Sequence, residues 1–213
     1  MAGDAPHPIA VIIVAAGRGD RFGGPKHEVA LDGLPLWRHS FDVFASLGHD
    51  IVVVGDVPGG ISGGRRRRDS VAAGLDAIPD VGFVLVHDAA RPLVTTELTS
   101  SVTARLRVGD VDAVIPVLPV TDTVKRVDAG LVVETVDRSD LVTVQTPQGF
   151  RVETLRAAHR IDPAEDVTDD AGLVERLGGT VATVPGDPRN IKVTYPQDLD
   201  RAVVLLRDGV DRA

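Results

Sequence analysis

The chain has 213 residues, 43% hydrophobic and 25% charged, a size and composition that suit one domain with a sizeable core. A net charge of −8 argues against a general nucleic-acid or anionic-membrane surface, and 3% aromatics argue against recognition by base stacking. The absence of cysteine excludes disulfides and thiolate zinc sites, and with no basic leader and no apolar run of membrane-spanning length a cytoplasmic protein is expected.

Read in chain order, continuous Val/Ile/Leu runs at Ile9–Val14, Ile51–Val54, Phe83–His87 and Ala113–Val117 predict buried strands. Between them the spacing predicts helices over Pro35–Leu47, Asp69–Ile78 (with Asp69 as N-cap) and Thr96–Arg107. Strands alternating with helices imply an α/β fold, an open and largely parallel sheet with helices on both faces. Thr123–Val127 and Leu131–Thr135, joined by Asp128-Ala129-Gly130, then predict a β-hairpin that breaks the rhythm, an arm at about 120–140 on a single domain spanning 1–213. A loop Thr146–Phe150, helices Val152–Arg160 and Asp170–Leu177, strands Thr180–Val184 and Ile191–Thr194, and a final helix Gln197–Arg207 complete the prediction.

Ligands of such sheets sit beyond the carboxyl ends of the strands. That places Ala15–Lys26, Gly55–Ser70 and Asp88–Pro92 along one rim. The first of these holds Gly17, Gly19, Gly23 and Gly24 together with Arg18, Arg21 and Lys26, a backbone able to approach phosphates closely beside cations able to hold them. Its spacing matches neither the dinucleotide fingerprint nor the P-loop, and Asp56 lies too far along to serve as the ribose acid. The second rim segment carries Arg65-Arg66-Arg67-Arg68 at the start of a helix, and at least two of these arginines are expected to do no more than face solvent. In the third, Asp88 can hold a divalent metal or a sugar hydroxyl and Arg91 can clamp a phosphate, while His87 is expected to anchor a hydrogen-bond network. No Ser/His/Asp nucleophile arrangement and no HExxH zinc motif occurs. Phosphoryl or nucleotidyl transfer is the chemistry these residue types fit.

The blocks VAAGRGDRFGGPK, GGRRRRDSVAAGL, HDAARP, TDTVKRVD, TVDRSDL, TPQGF, TDDAGLVE and NIKVT, in this order, resemble the 2-C-methyl-D-erythritol 4-phosphate cytidylyltransferases of non-mevalonate isoprenoid biosynthesis. The resemblance implies a Rossmann-like nucleotidyltransferase fold, CTP and a polyol phosphate as substrates, Mg²⁺ as cofactor, and a homodimer whose β-arms reach the neighbouring site. It further implies catalytic roles for Arg21, Lys26 and Lys192, and nucleotide contacts from Ala15, Ala16, Gly17, Gly19, Gly64, Ser70 and Asp88. Asp88, Ala89, Arg91, Thr123, Arg138, Thr146 and Thr168 would bind the acceptor. Mg²⁺ would be held mainly through the CTP phosphates, with Asp88 as the one candidate protein ligand. Only eight residues, Gly55 to Ser62, precede Gly63-Gly64, where the family usually has a further helix and strand, so a sheet trimmed on the nucleotide side is expected. Another polyol phosphate such as ribitol 5-phosphate as acceptor, and a catalytically weak nucleotide-binding module, stay open as alternatives at this point.

Overall fold

Alternate residues of strand β1 (Ile9–Val14) point into two different cores, which makes this strand the midline of the molecule. The computed structural model describes residues 8–17, 19, 22–24, 29–161 and 168–210. Beside β1 lie β4 (Asp50–Val54) and β5 (Phe83–Asp88), both parallel to it. Beyond β5 come β10 (Gln148–Arg151), β6 (Ala113–Pro119) and β11 (Val181–Pro185), giving the order β11-β6-β10-β5-β1-β4. The β6–β11 pair is parallel, whereas β10 runs antiparallel to both its neighbours. A short strand β9 (Val142–Val144) pairs antiparallel with the end of β6.

Helices cover both faces. Ala10 and Ile12 of β1 pack with Val71 and Leu75 of α2 (Arg67–Ala77), Leu155 of α4 (Val152–His159) and Leu173 of α5 (Ala171–Arg176). Val11 and Ile13 pack on the other side with Trp37 and Phe44 of α1 (Leu36–Ser46) and Val102 and Leu106 of α3 (Thr96–Arg107). This two-sided burial is why the strands read as unbroken apolar runs. A third cluster joins Leu31, in the small hairpin of β2 (Ala30–Leu31) and β3 (Leu34–Pro35), to Val193 and to Ala202 of α6 (Pro196–Val210). The fold is α/β, mostly parallel and Rossmann-like, as expected.

The predicted arm is present as β7 (Val124–Asp128) and β8 (Leu131–Val136), a separate two-stranded sheet. Ala129 and Gly130 both have positive φ at its tip, the backbone demanded by a tight two-residue hairpin turn.

Four expectations are corrected. The segment from 146 to 150 is not merely a loop, because β10 begins at Gln148 and lies inside the sheet. A Cβ on its Gly149 would meet Val102 Cγ1 at 2.9 Å, so only glycine lets α3 close over this strand. Ile191–Thr194 makes no sheet pairing; it is an extended run in which Val193 donates its N–H to the Ala90 carbonyl. The N-cap of α2 is Arg66, with Asp69 one turn in and accepting the Arg66 backbone N–H. The arginine run is largely engaged rather than solvated. Arg66 bonds Asp69, Arg67 bonds Asp88 and Asp170, and buried Arg68 donates to the His159 and Ile161 carbonyls at the end of α4. A cation there satisfies carbonyls that the helix leaves open.

The shortened segment after β4 folds back on itself. Gly55 donates to the Ile61 carbonyl and Ile61 to that of Val53, giving one parallel bridge between Val54 and Ile61. β4 is therefore the last full strand on that side.

Candidate active site

The carboxyl ends of β1 and β5 open into a cavity of about 970 Å³, the size of a pocket for a nucleotide-scale ligand. Ala15, Ala16, Gly17 and Gly19 line one wall, Gly64 to Arg67, Asp69 and Ser70 a second, and Asp88, Ala89 and Lys192 a third. Leu36 and Trp37 at the start of α1 complete it, and no sequence motif marked these two. The three rim segments thus converge as expected. Arg21 and Lys26 lie outside the described residues, as does Arg18.

Local packing explains why the walls are made of small residues. A Cβ on Gly63 would meet Ala16 Cβ at 2.4 Å, and one on Gly64 would meet Asp69 Cβ at 2.2 Å. Glycine here lets the second wall approach the first. Ser70 Oγ then accepts the Gly64 N–H at 3.1 Å, tying that wall to the first turn of α2. The N-terminus of α2 opens on the cavity and contributes positive potential to it.

Asp88 is the electrostatic centre. Its Oδ1 accepts from Arg67 Nε at 3.0 Å and its Oδ2 from Lys192 Nζ at 2.6 Å. Burial opposes ionisation of this carboxyl, but the two cations outweigh burial and hold it well below the usual carboxylate range. Asp88 is consequently an anion that arranges cations, not a proton donor.

His87 performs the supporting task expected of it. It is fully buried, and Thr146 Oγ1, which accepts the Asp88 N–H, stands 3.1 Å from its Nδ1. With the Thr146 hydroxyl donating to Nδ1, Nε2–H is left to donate to the Arg91 carbonyl at 3.1 Å. Burial pushes the His87 pKa down from 6.5 to about 4. Between those values the unfolded chain binds the extra proton, so the neutral imidazole's contribution is intact above pH 6.5 and fades as pH falls toward 4. The loss is about 3 kcal/mol. Denaturant unfolding of His87→Gln should therefore show a shallower fall in stability between pH 6.5 and 4 than the parent; equal slopes would exclude this origin.

The other acceptor-side residues are dispersed. Thr146 is buried against His87 and Asp88, outside the cavity lining. Arg91 donates from Nη1 to the Asn190 carbonyl at 2.7 Å and from Nη2 to the Val144 carbonyl at 3.1 Å, so its fork ties the loop at Asn190 to the end of β9 in this structure and does not line the cavity. Thr123 and Arg138 are exposed at the base of the arm, where Arg138 bonds the Thr121 carbonyl, and neither lines this chain's cavity. Thr168 is exposed and likewise absent from the lining.

The donor set bears on a cation. Among the described residues no group of three or more His, Asp or Glu could hold a metal ion, and both Asp88 oxygens already serve cations. Mg²⁺ commonly takes one or two carboxylates plus substrate phosphates, so these residues fit an ion carried by a triphosphate and do not fit a resident cage.

Among proteins of known kind, the family model described as 2-C-methyl-D-erythritol 4-phosphate cytidylyltransferase matches residues 9–208. The protein of that name from Nocardia farcinica is 47% identical, the match covering 93% of this chain and 94% of the relative. The solved 2-C-methyl-D-erythritol 4-phosphate cytidylyltransferase of Thermus thermophilus superposes with a TM-score of 0.78 at 34% identity, over 92% of this chain and 98% of that one. That of Francisella tularensis gives a TM-score of 0.81 at 28% identity, over 93% and 99%. With its glycine-walled cavity and its sequence matched over nearly the whole length, the chain belongs to the 2-C-methyl-D-erythritol 4-phosphate cytidylyltransferase family.

Proposed function

We propose that the rim cavity transfers a cytidylyl group from CTP to 2-C-methyl-D-erythritol 4-phosphate, releasing pyrophosphate and forming 4-diphosphocytidyl-2-C-methyl-D-erythritol. The observation that carries this reading is Lys192, brought from 104 residues away to Asp88 at the mouth of the glycine loop. The cytosine end would rest against the small-residue walls at Ala15, Ala16, Gly64 and Ser70, and the triphosphate along Gly17 and Gly19.

An oxygen of the acceptor phosphate attacks the α-phosphorus; a new P–O bond forms there as the bond to the pyrophosphate oxygen breaks. The attacking monoester is largely dianionic near neutral pH, with a second pKa of about 6. It needs no general base, in keeping with a site whose central carboxylate is held by cations. What the chain must supply is alignment of two anions and stabilisation of the charge that grows on the α-phosphate. Lys192 would do this from one side and Arg21 and Lys26 from the glycine loop, while Asp88 keeps the amine of Lys192 in place. Mg²⁺, bound mainly through the CTP phosphates, would neutralise part of the triphosphate charge.

The acceptor would be completed from a second subunit. Val127, Leu131, Val132 and Val133 on the arm are each more than half exposed. Apolar side chains clustered on a protruding hairpin support an interface. Thr123 and Arg138 lie outside their own cavity and would serve the partner's, with Ala89, Arg91, Thr146 and Thr168 shaping or bracing the acceptor side. No described helix is long and apolar enough to cross a membrane.

Pyrophosphate release tests the reading. It is expected with CTP, Mg²⁺ and 2-C-methyl-D-erythritol 4-phosphate, and not with ribitol 5-phosphate. Release with ribitol 5-phosphate alone would reassign the acceptor, and CTP binding without release with either acceptor would leave only a nucleotide-binding module.

A further inference from the structure

Five side chains from distant parts of the chain form one row: His159, Asp170, Arg67, Asp88 and Lys192. His159 Nε2 meets Asp170 Oδ1 at 2.9 Å, Asp170 Oδ2 pairs with Arg67 Nη1, Arg67 Nε meets Asp88 Oδ1 at 3.0 Å, and Lys192 Nζ meets Asp88 Oδ2 at 2.6 Å. Only Arg67, Asp88 and Lys192 line the cavity. Asp170 and His159 are buried behind it, with 1% and 7% of their side chains exposed.

The way Arg67 uses its nitrogens is informative. A guanidinium facing a carboxylate prefers a two-pronged contact. Arg67 instead gives Asp88 only Nε, while the neighbouring Nη2 is buried without a partner. The oxygen that Nη2 would claim is the one holding Lys192. Asp170, at the other end of the guanidinium, keeps Nη1 and prevents the rotation that would close both prongs on Asp88.

We propose that Asp170, steadied by His159, is a positioning residue for Lys192: it holds Arg67 to a single prong on Asp88, so that the second oxygen of Asp88 stays with the lysine. The proposal rests on the assignment of Lys192 to the α-phosphate. Without Asp170, Arg67 would take both oxygens of Asp88 and release Lys192 from its place at the cavity.

A double-mutant cycle tests this, with kcat read from pyrophosphate release. Asp170→Asn is expected to lower kcat about tenfold in the parent and to have almost no further effect in a Lys192→Ala background, because residues acting as a unit are not additive. A merely structural loss would instead multiply the rate by the same factor in both backgrounds. Equal factors, or a parental rate for Asp170→Asn, overturn the proposal. A near-normal rate for Lys192→Ala alone overturns the assignment of Lys192 itself. Circular dichroism checks folding; should Asp170→Asn not fold, His159→Leu is the second probe. A loss of about threefold is expected for it, absent in the Lys192→Ala background and restored by His159→Gln, which keeps a donor toward Asp170. A parental rate for His159→Leu, or an equal loss in both backgrounds, overturns the proposal by this route.

Discussion

Lys192→Ala is expected to lower kcat for CTP-dependent pyrophosphate release by about 10²- to 10³-fold, the scale found when one preorganised donor to a developing anion is removed. The fold should survive, since the lysine side chain is 41% exposed and Asp88 retains Arg67 as a partner. Thermal unfolding and kcat measured on the same preparation separate the two effects. A near-normal kcat would mean that the amine is held at Asp88 for stability alone. Arg21→Ala and Lys26→Ala should give losses of the same order if, as proposed, these two cations share the α-phosphate charge with Lys192.

Two nearly inactive variants should restore each other. Arg138→Ala removes an arm residue, and Lys192→Ala removes a residue from the cavity. If each arm completes the neighbouring subunit's site, a mixed dimer contains one site with both lesions and one with neither. After subunit exchange at equal concentrations, about a quarter of all sites should be intact. Activity should rise from near zero toward that fraction. Activity that stays at the sum of the two variants would exclude sharing of the site between subunits. Size-exclusion chromatography of Leu131→Glu, which puts a charge on the exposed apolar tip, reads the same interface independently.

The parts of the molecule that the sequence exposed most readily were those determined locally. Buried parallel strands such as Ile9–Val14 need apolar residues on both faces, and the arm needs a turn with positive φ at Ala129 and Gly130; both leave marks within a few residues. The rim followed from strand polarity, and Ala15, Gly64, Ser70, Asp88 and Lys192 did come together. β10 was hidden because Gln148-Gly149-Phe150-Arg151 has no apolar run, and its glycine answers to Val102 and Leu106, some 40 residues earlier. Ile191–Thr194 erred in the other direction. Its Val193 is buried, and its Ile191 partly so, in the cluster with α6 rather than in a ladder, and composition alone cannot tell the two apart. The partners of Arg67 were invisible for a related reason. Asp88 and Asp170 lie 21 and 103 residues away, and a run of four arginines says nothing about which one turns inward.

The placement of β10 has a consequence for the order in which the molecule can be assembled. β4, β1 and β5 pair with one another using only residues up to Asp88, so the nucleotide side can form while the rest of the chain is still being synthesised. β6 has no partner in that group; its neighbours β9, β10 and β11 are all later in the chain. Four residues, Gln148–Arg151, are thus the seam along which an early half and a late half of the sheet are joined. Closing that seam is a long-range event of the kind that sets slow folding rates. It also means that a nascent chain can form the glycine-rich walls of the cavity well before Lys192 arrives to complete the third.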